Sequence, residues 1–331
     1  MFSREYLDRL GAETGFGPDT LEKVMRLERL LTRIRHHPFL GDRLALKGGT
    51  ALNLFFGGPV PRLSVDLDLN YVHAIAREEM LRDKPEVERA LRLLVEGDRY
   101  RLQWGRDEHA GRKIYLWYWS GLGSDNHIEL DVNFLHRVPL VPAVERDGWT
   151  PDPDFPCRAV LAGTEEILAG KVLALLDRGA PRDLYDVASM ANGRFAYDAD
   201  LFRPLFVALS GVLDRAVTAY AVPHRPTLSQ AELEEQLTPV LRRGEHPNQA
   251  ALTASITPLV SSLVTLSEED GAGAIPSRSS RIVRNSWSRS GGTLVCSGKW
   301  RMGGGERGAE RTQTAGFETR LAGGGQPRKA A

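Results

Sequence analysis

Two stretches of this chain alternate strictly between apolar and polar residues, and in both the polar positions include carboxylates. Leu63, Val65, Leu67 and Leu69 take one parity, while Ser64, Asp66, Asp68 and Asn70 take the other. Further on, Ile128, Leu130, Val132 and Phe134 alternate with His127, Glu129, Asp131 and Asn133. A period of two is that of a β-strand, whose successive side chains point to opposite faces. Each segment therefore predicts a strand with one apolar face and one that gathers acids. Acids facing one way, on strands otherwise suited to burial, are costly unless something cationic neutralises them. The chain must build a sheet and bring positive charge to its acidic face.

The other segments supply helices for that sheet. Residues 18–35 place Leu21, Val24, Met25, Leu27, Leu31 and Ile34 at helical spacing, with Asp19 or Thr20 as the cap. Arg26, Arg29 and Arg33 fall on its other side, a solvated face with RNA contact as the alternative. A short apolar stretch from Leu44 runs into Gly48-Gly49-Thr50 and an apolar helix over 51–56, which Gly57-Gly58-Pro59 breaks. Residues 76–96 read as a helix. Residues 112–120 read as a strand whose Tyr115, Trp117 and Trp119 share a face, expected to pack beneath helices.

The Pro- and Asp-rich stretch 141–156 reads as a linker between domains. Beyond it, Thr164 can cap a helix over 165–177, and Pro181 can open another over 182–190. Helical patterning continues to about residue 267. The expected fold class is thus α+β (mixed α/β), with a mixed sheet flanked by helices in 1–150 and an α-helical domain in 151–270.

At 331 residues, 42% apolar and 26% charged, the chain has the composition of a globular protein and no apolar run long enough to span a bilayer. The start lacks the apolar core of a secretory signal, and the two cysteines are too few and too distant for a disulfide framework. Both features predict a cytoplasmic protein. The net charge of zero hides a split. Residues 271–331 hold eleven Lys/Arg against three Glu, so the preceding 270 residues are acidic by eight charges. An acidic body that handles polyanions needs positive charge at its site, and bound metal would supply it. The last 61 residues include thirteen Gly and no apolar period, which predicts a tail without fixed structure, or one read in a shifted frame.

The acidic strands suggest the chemistry. Asp66-Leu-Asp68 puts two carboxylates on one strand face, and Asp131 adds a third from a neighbouring strand. Mg²⁺ or Mn²⁺ takes oxygen ligands, usually one or two carboxylates plus substrate phosphates. Two-metal clamps hold ions roughly 3.5–4 Å apart. Gly48, Gly49 and Thr50 stand at a strand-to-helix junction, where glycines let backbone approach phosphate and the helix end offers free N–H donors. Lys47, Arg62 and Ser64 flank this turn. Neither a P-loop nor a G-x-G-x-x-G occurs.

The segments Leu46-Lys-Gly-Gly-Thr-Ala-Leu-Asn-Leu54 and Arg62-Leu-Ser-Val-Asp-Leu-Asp-Leu69 resemble the signature of the AbiEii/AbiGii toxin family, within the DNA polymerase β-like nucleotidyltransferases. The likeness extends to Ile128-Glu-Leu-Asp-Val132, Glu165-Glu-Ile-Leu-Ala-Gly-Lys171 and Pro181-Arg-Asp-Leu-Tyr-Asp186. It covers about 15–200 well and 200–270 loosely. The resemblance implies catalytic Asp66, Asp68, Asp131, Lys171 and Asp186, with the first three as metal ligands. It implies that Gly48, Gly49, Thr50, Ser64 and Lys171 bind the NTP. Lys171 would neutralise phosphate, and Asp186 would orient Lys171 or the acceptor. Read without the family, Lys171 is a snorkelling lysine paired with an acid, and Asp183 fixes Arg178 or Arg182. The family further implies an RNA acceptor, the partners being a tRNA 3′ end and a winged-helix antitoxin encoded nearby, with growth arrest or abortive phage infection as the effect. Transfer to a small-molecule or protein hydroxyl, and non-catalytic nucleotide binding, are the competing readings.

Overall fold

The computed structural model describes residues 2–265 except 75, 109–110 and 221–227, and side chains 106–108 and 212; in 282–290, 293–300 and 311–317 it describes backbone alone. Helix α1 (Arg4–Thr14) starts at Ser3, whose hydroxyl accepts the Tyr6 N–H, and ends at Gly15 in the left-handed region, φ 82°. Helix α2 (Pro18–His36) follows the predicted period, but its cap differs. Gly17 is the N-cap and Pro18 opens the first turn, where a missing N–H costs nothing. Thr20 instead donates its hydroxyl to the Pro239 carbonyl. The inward stripe of α2 buries Leu21, Val24, Leu27 and Leu30 completely, at ~1.5–3 kcal/mol per side chain relative to exposure.

Strand β1 (Leu44–Leu46), helix α3 (Gly48–Phe55), strand β2 (Asp66–Tyr71) and helix α4 (Arg77–Gly97) come next. They lead to β3 (Arg101–Glu108), β4 (Gly111–Trp119), β5 (Asp125–Asn133), β6 (Val144–Gly148) and β7 (Cys157–Leu161). These seven strands form one mixed sheet in the order β3-β4-β5-β2-β1-β7-β6. Neighbours β2 and β5 run parallel, as do β1 and β7; the other pairs are antiparallel. The sheet thus continues past residue 150. Residues 141–156, expected to link domains, contain edge strand β6, and β7 enters the sheet beside β1.

On β4 the buried residues are Ile114, Leu116 and Tyr118, the parity opposite to the one expected. Tyr115 and Trp117 are half-buried and Trp119 is 56% exposed. Aromatic size suggested burial, but the partner strand decides. Tyr115 lies opposite Glu129 and Trp117 opposite His127, so both share the acidic face of β5.

The helical part comprises α5 (Thr164–Arg178), α6 (Pro181–Ala191), α7 (Ala199–Leu209), α8 (Gln230–Leu237) and α9 (Gln249–Val264). Helix α5 packs against α3, which joins this part to the sheet, and α6 packs against α5, α8 and α9. Backbone of β8 (Ile282–Ser290), β9 (Thr293–Trp300) and β10 (Arg311–Phe317) pairs as a separate antiparallel sheet. Most of the remaining tail, for which fixed structure was not expected, lies outside the described residues.

Candidate active site

Strand β2 follows the alternation read from the sequence, with Leu67, Leu69 and Tyr71 buried and Asp66, Asp68 and Asn70 partly open. Parallel pairing sets Asp66 beside Glu129 and Asp68 beside Asp131. Four carboxylates therefore share one patch of sheet. Burial raises the Asp66 carboxyl above its ordinary value; Arg182 opposes this, while Asp68 and Glu129 add to it. Asp68 is raised likewise, first by burial, with Lys47 and Lys171 opposing and Asp131 adding. Each acid thus feels its neighbours' negative charge.

Cations stand around the patch. Lys113 Nζ donates to Glu129 at 2.9 Å, and Arg182 approaches Asp66 at 3.4 Å. Among the described residues, no group of three His, Cys, Asp or Glu is gathered as a ready-made ligand set. The donor chemistry nevertheless fits a divalent cation: hard carboxylate oxygens side by side, with mutual repulsion that a bound charge relieves.

Gly48 begins α3 with φ 72°, and a Cβ built there would overlap Asp68 Oδ2. The turn needs glycine both for its left-handed backbone and for this approach. At Gly49 a Cβ would come within 2.9 Å of Ser64 Oγ, 3.0 Å of Arg62 Nη2 and 3.5 Å of Lys171 Nζ. Gly48, Gly49, Ser64 and Lys171 are thus brought together. Thr50 is not in that position. Its side chain is fully buried and its hydroxyl donates to the Asp66 carbonyl, so the hydroxyl ties α3 to β2 instead of facing phosphate.

Behind the glycines lies a buried ionic network. Arg62 donates to both Asp186 oxygens, at 2.8 and 2.6 Å, and to the Leu63 carbonyl. Asn53 bridges the Gly49 carbonyl and Asp186. Lys171 Nζ lies 2.9 Å from Asp186 and 3.1 Å from Asp183, and Arg178 holds Asp183 at 2.7 Å. Burial would raise the Asp186 carboxyl, but Arg62 and Lys171 outweigh it and hold it at about 2. Asp186, expected to orient Lys171 or the acceptor, touches Lys171; at 1% exposure it is closed to an acceptor. Asp183 fixes Arg178 as expected, and Lys171 as well.

Lys171 also forms part of the wall of a cleft of about 560 Å³ between the sheet and α5. Lys47, Gly48, Asp68, His136 and Arg178 line it too. Burial, with Lys47 nearby, lowers His136 to about 4, so the ring is neutral at neutral pH. Sequence reading had not assigned Glu129, Arg182 or His136 to the site. Glu129 carried a signal, since it shares the parity of Asp131. Arg182 carried none, because it meets Asp66 across 116 residues of chain.

Paired strand acids facing a glycine turn, with a lysine delivered by the following helices, define a nucleotidyltransferase. The family model described as "Nucleotidyl transferase AbiEii toxin, Type IV TA system" matches residues 29–258. The chain belongs to this family, and is accordingly a nucleotidyltransferase toxin of a type IV toxin–antitoxin system. Among solved structures it is similar to MenT4, a nucleotidyltransferase toxin from Mycobacterium tuberculosis H37Rv. The TM-score is 0.62 at 20% identity, over 83% of this chain and 94% of that one. A weaker likeness is to JHP933 from Helicobacter pylori, at TM-score 0.45 and 15% identity, over 78% of this chain and 97% of that one. No curated protein matches it. Among the described residues, no helix is long and apolar enough to cross a membrane.

Proposed function

We propose that this chain transfers a nucleoside monophosphate from an NTP to the 3′-terminal hydroxyl of an RNA, with tRNA as the acceptor. The observation that carries the reading is Asp68, seated between Asp66 and Asp131 on the sheet and pressed against the Gly48 turn at the cleft. Attack by the hydroxyl oxygen on the α-phosphorus forms the new ester bond, breaks the bond to the β-phosphate and releases pyrophosphate. Such a transition state spreads charge over phosphate oxygens, so positioning and cations dominate catalysis. Lys47, Lys171 and Arg178 face the cleft and would hold the triphosphate, beside the N-terminal N–H groups of α3. Asp66, lifted by burial, would accept the attacking hydroxyl's proton. Asp66, Asp68 and Asp131 would hold Mg²⁺ or Mn²⁺, which when bound supplies charge stabilisation at the phosphate oxygens.

The RNA half of the reading draws support from the same sheet face. Trp117 and His127 lie with ring centres 4.7 Å apart and planes tilted by 38°, and Tyr115 meets His127 edge-on at 5.8 Å. Half-buried rings beside a reacting centre suit unpaired bases, for which stacking is worth ~1–3 kcal/mol each. The antitoxin, in this reading, is a winged-helix protein encoded nearby. Incubation with each labelled NTP, Mg²⁺ and total tRNA tests the proposal. Label should appear on the tRNA 3′ end with the native protein and not with Asp66→Ala. Label on another acceptor, or equal labelling by Asp66→Ala, would refute it.

A further inference from the structure

A second cleft, of about 710 Å³, opens between α2 and the end of β4, and none of its lining residues lines the first. Tyr118, in its wall, has the parity opposite to Tyr115 and Trp117, while Trp119, the last residue of β4, lines it with their parity. Two buried polar atoms here have no hydrogen-bond partner: Oε1 of Glu28 and the hydroxyl of Tyr118. The residues are 5% and 4% exposed. Orphaned buried polar groups are rare and cost ~1–3 kcal/mol each, and both atoms lie beneath the cleft surface. Burial pushes the Glu28 carboxyl well up, against the hydrogen bond from Thr150.

The rest of the lining specifies an occupant. Arg26 is tied to Glu22 at 2.7 Å and lies 3.8 Å over the Tyr118 ring, and Arg33 is paired with Asp98. Arg29 and Arg99 make no ion pair among the described residues and can receive an anion. Arg29 sits 5.1 Å from the Phe155 ring centre. Arg99 holds φ 63°, the sole non-glycine residue with positive φ among those described. At the rim, Trp119 and Phe155 are 56% and 51% exposed. Exposed rings beside unpaired guanidinium groups are what a nucleobase and its phosphate require. The volume falls within the usual ~300–1,000 Å³ for a small-ligand cleft.

We propose that this second cleft binds a nucleotide unit, its base against Trp119 and Phe155 and its phosphate on Arg29 and Arg99. Free nucleotide and a nucleotide within an RNA strand share this chemistry. The site is independent of the transfer reaction and of its acceptor.

Titration calorimetry of the full chain with AMP, and with a 5′-phosphorylated tetraadenylate RNA, tests the proposal. Arg29→Ala and Trp119→Ala remove exposed side chains, and thermal melts confirm that both variants fold. Each should weaken binding of at least one probe about tenfold, the size of one lost stacking contact. Asp68→Asn, in the other cleft, should leave that binding unchanged. Comparable affinity for both probes identifies free nucleotide as sufficient, and binding of the tetranucleotide alone identifies an RNA strand. Failure of both probes to bind overturns the assignment. So does binding indifferent to Arg29 and Trp119, whatever Asp68→Asn does.

Discussion

Replacing Asp186 by Asn removes one negative charge from a site that holds two buried cations. Arg62 is 2% exposed at its side chain and Lys171 is 9% exposed, and both rely on Asp186. The folded carboxyl titrates at about 2 against an ordinary value of 3.8. A depressed value means stability that is complete above about pH 4 and is lost as the pH falls through about 2. A shift of this size corresponds to about 2 kcal/mol. Breaking a buried pair by removing one partner costs ~3–5 kcal/mol, since the stranded charge adds to the lost attraction. Urea unfolding of native protein and Asp186→Asn at pH 7 and at pH 3 measures both effects. The gap should be ~3–5 kcal/mol at pH 7 and narrow in acid. The double variant Arg62→Met/Asp186→Leu should recover part of the loss, because Arg62 is then no longer stranded and Lys171 keeps Asp183. A gap below ~1 kcal/mol at pH 7, or a double variant as weak as the summed singles, would refute the reasoning.

Three further outcomes follow from the same geometry. Gly48→Ala imposes ~1–2 kcal/mol of left-handed backbone cost and drives its Cβ into Asp68, so chemical unfolding should show that loss and transfer should collapse. An alanine variant with native turnover would sink the close-approach argument. Thr50→Ser should retain stability and turnover, whereas Thr50→Val should lose ~1 kcal/mol with KM for NTP unchanged, because the hydroxyl serves the Asp66 carbonyl. A KM effect confined to Thr50→Val would restore a phosphate role. Arg182→Ala removes the cation that holds Asp66 down, so the acidic limb of the pH–rate profile should move to higher pH, and an unmoved limb would count against Asp66 as the titrating group.

The segments legible in the sequence were those whose own pattern decided their burial. β2 and β5 alternate, α2 keeps a helical stripe, and each carries its assignment within one window of chain. Of the strands of the seven-stranded sheet that escaped, β3 and β6 lie at its two edges and β7 sits between β1 and β6. Residues 144–148 read Val-Glu-Arg-Asp-Gly, a loop by composition, yet charge is what keeps an exposed edge from pairing with another chain. The site divides in the same way. Asp66, Asp68 and Asp131 follow from parity and register, and the glycine turn from its place before a helix. Thr50 could not be placed, because its partner is a backbone carbonyl sixteen residues away, and nothing local distinguishes that from a group free to meet phosphate.

Lys171 shows why the two readings of a buried lysine need not compete. Paired with Asp183 and Asp186, it is the acid-matched lysine that helical spacing alone would suggest. It is also part of the cleft wall, close behind Gly49, where a triphosphate would need positive charge. Burial disfavours a charged ammonium unless acids surround it. The acids of α6 therefore keep a cation available at the back of the glycine turn, and Arg62 anchors them by gripping Asp186 from the sheet side. Helix α6 contributes to the site through this chain of contacts without Asp183 or Asp186 reaching the open cleft. Of the downstream motifs' charged groups, Arg182 reaches a strand acid directly, at Asp66, whereas Asp183 and Asp186 act through Lys171, whose place the fold of the helical part sets.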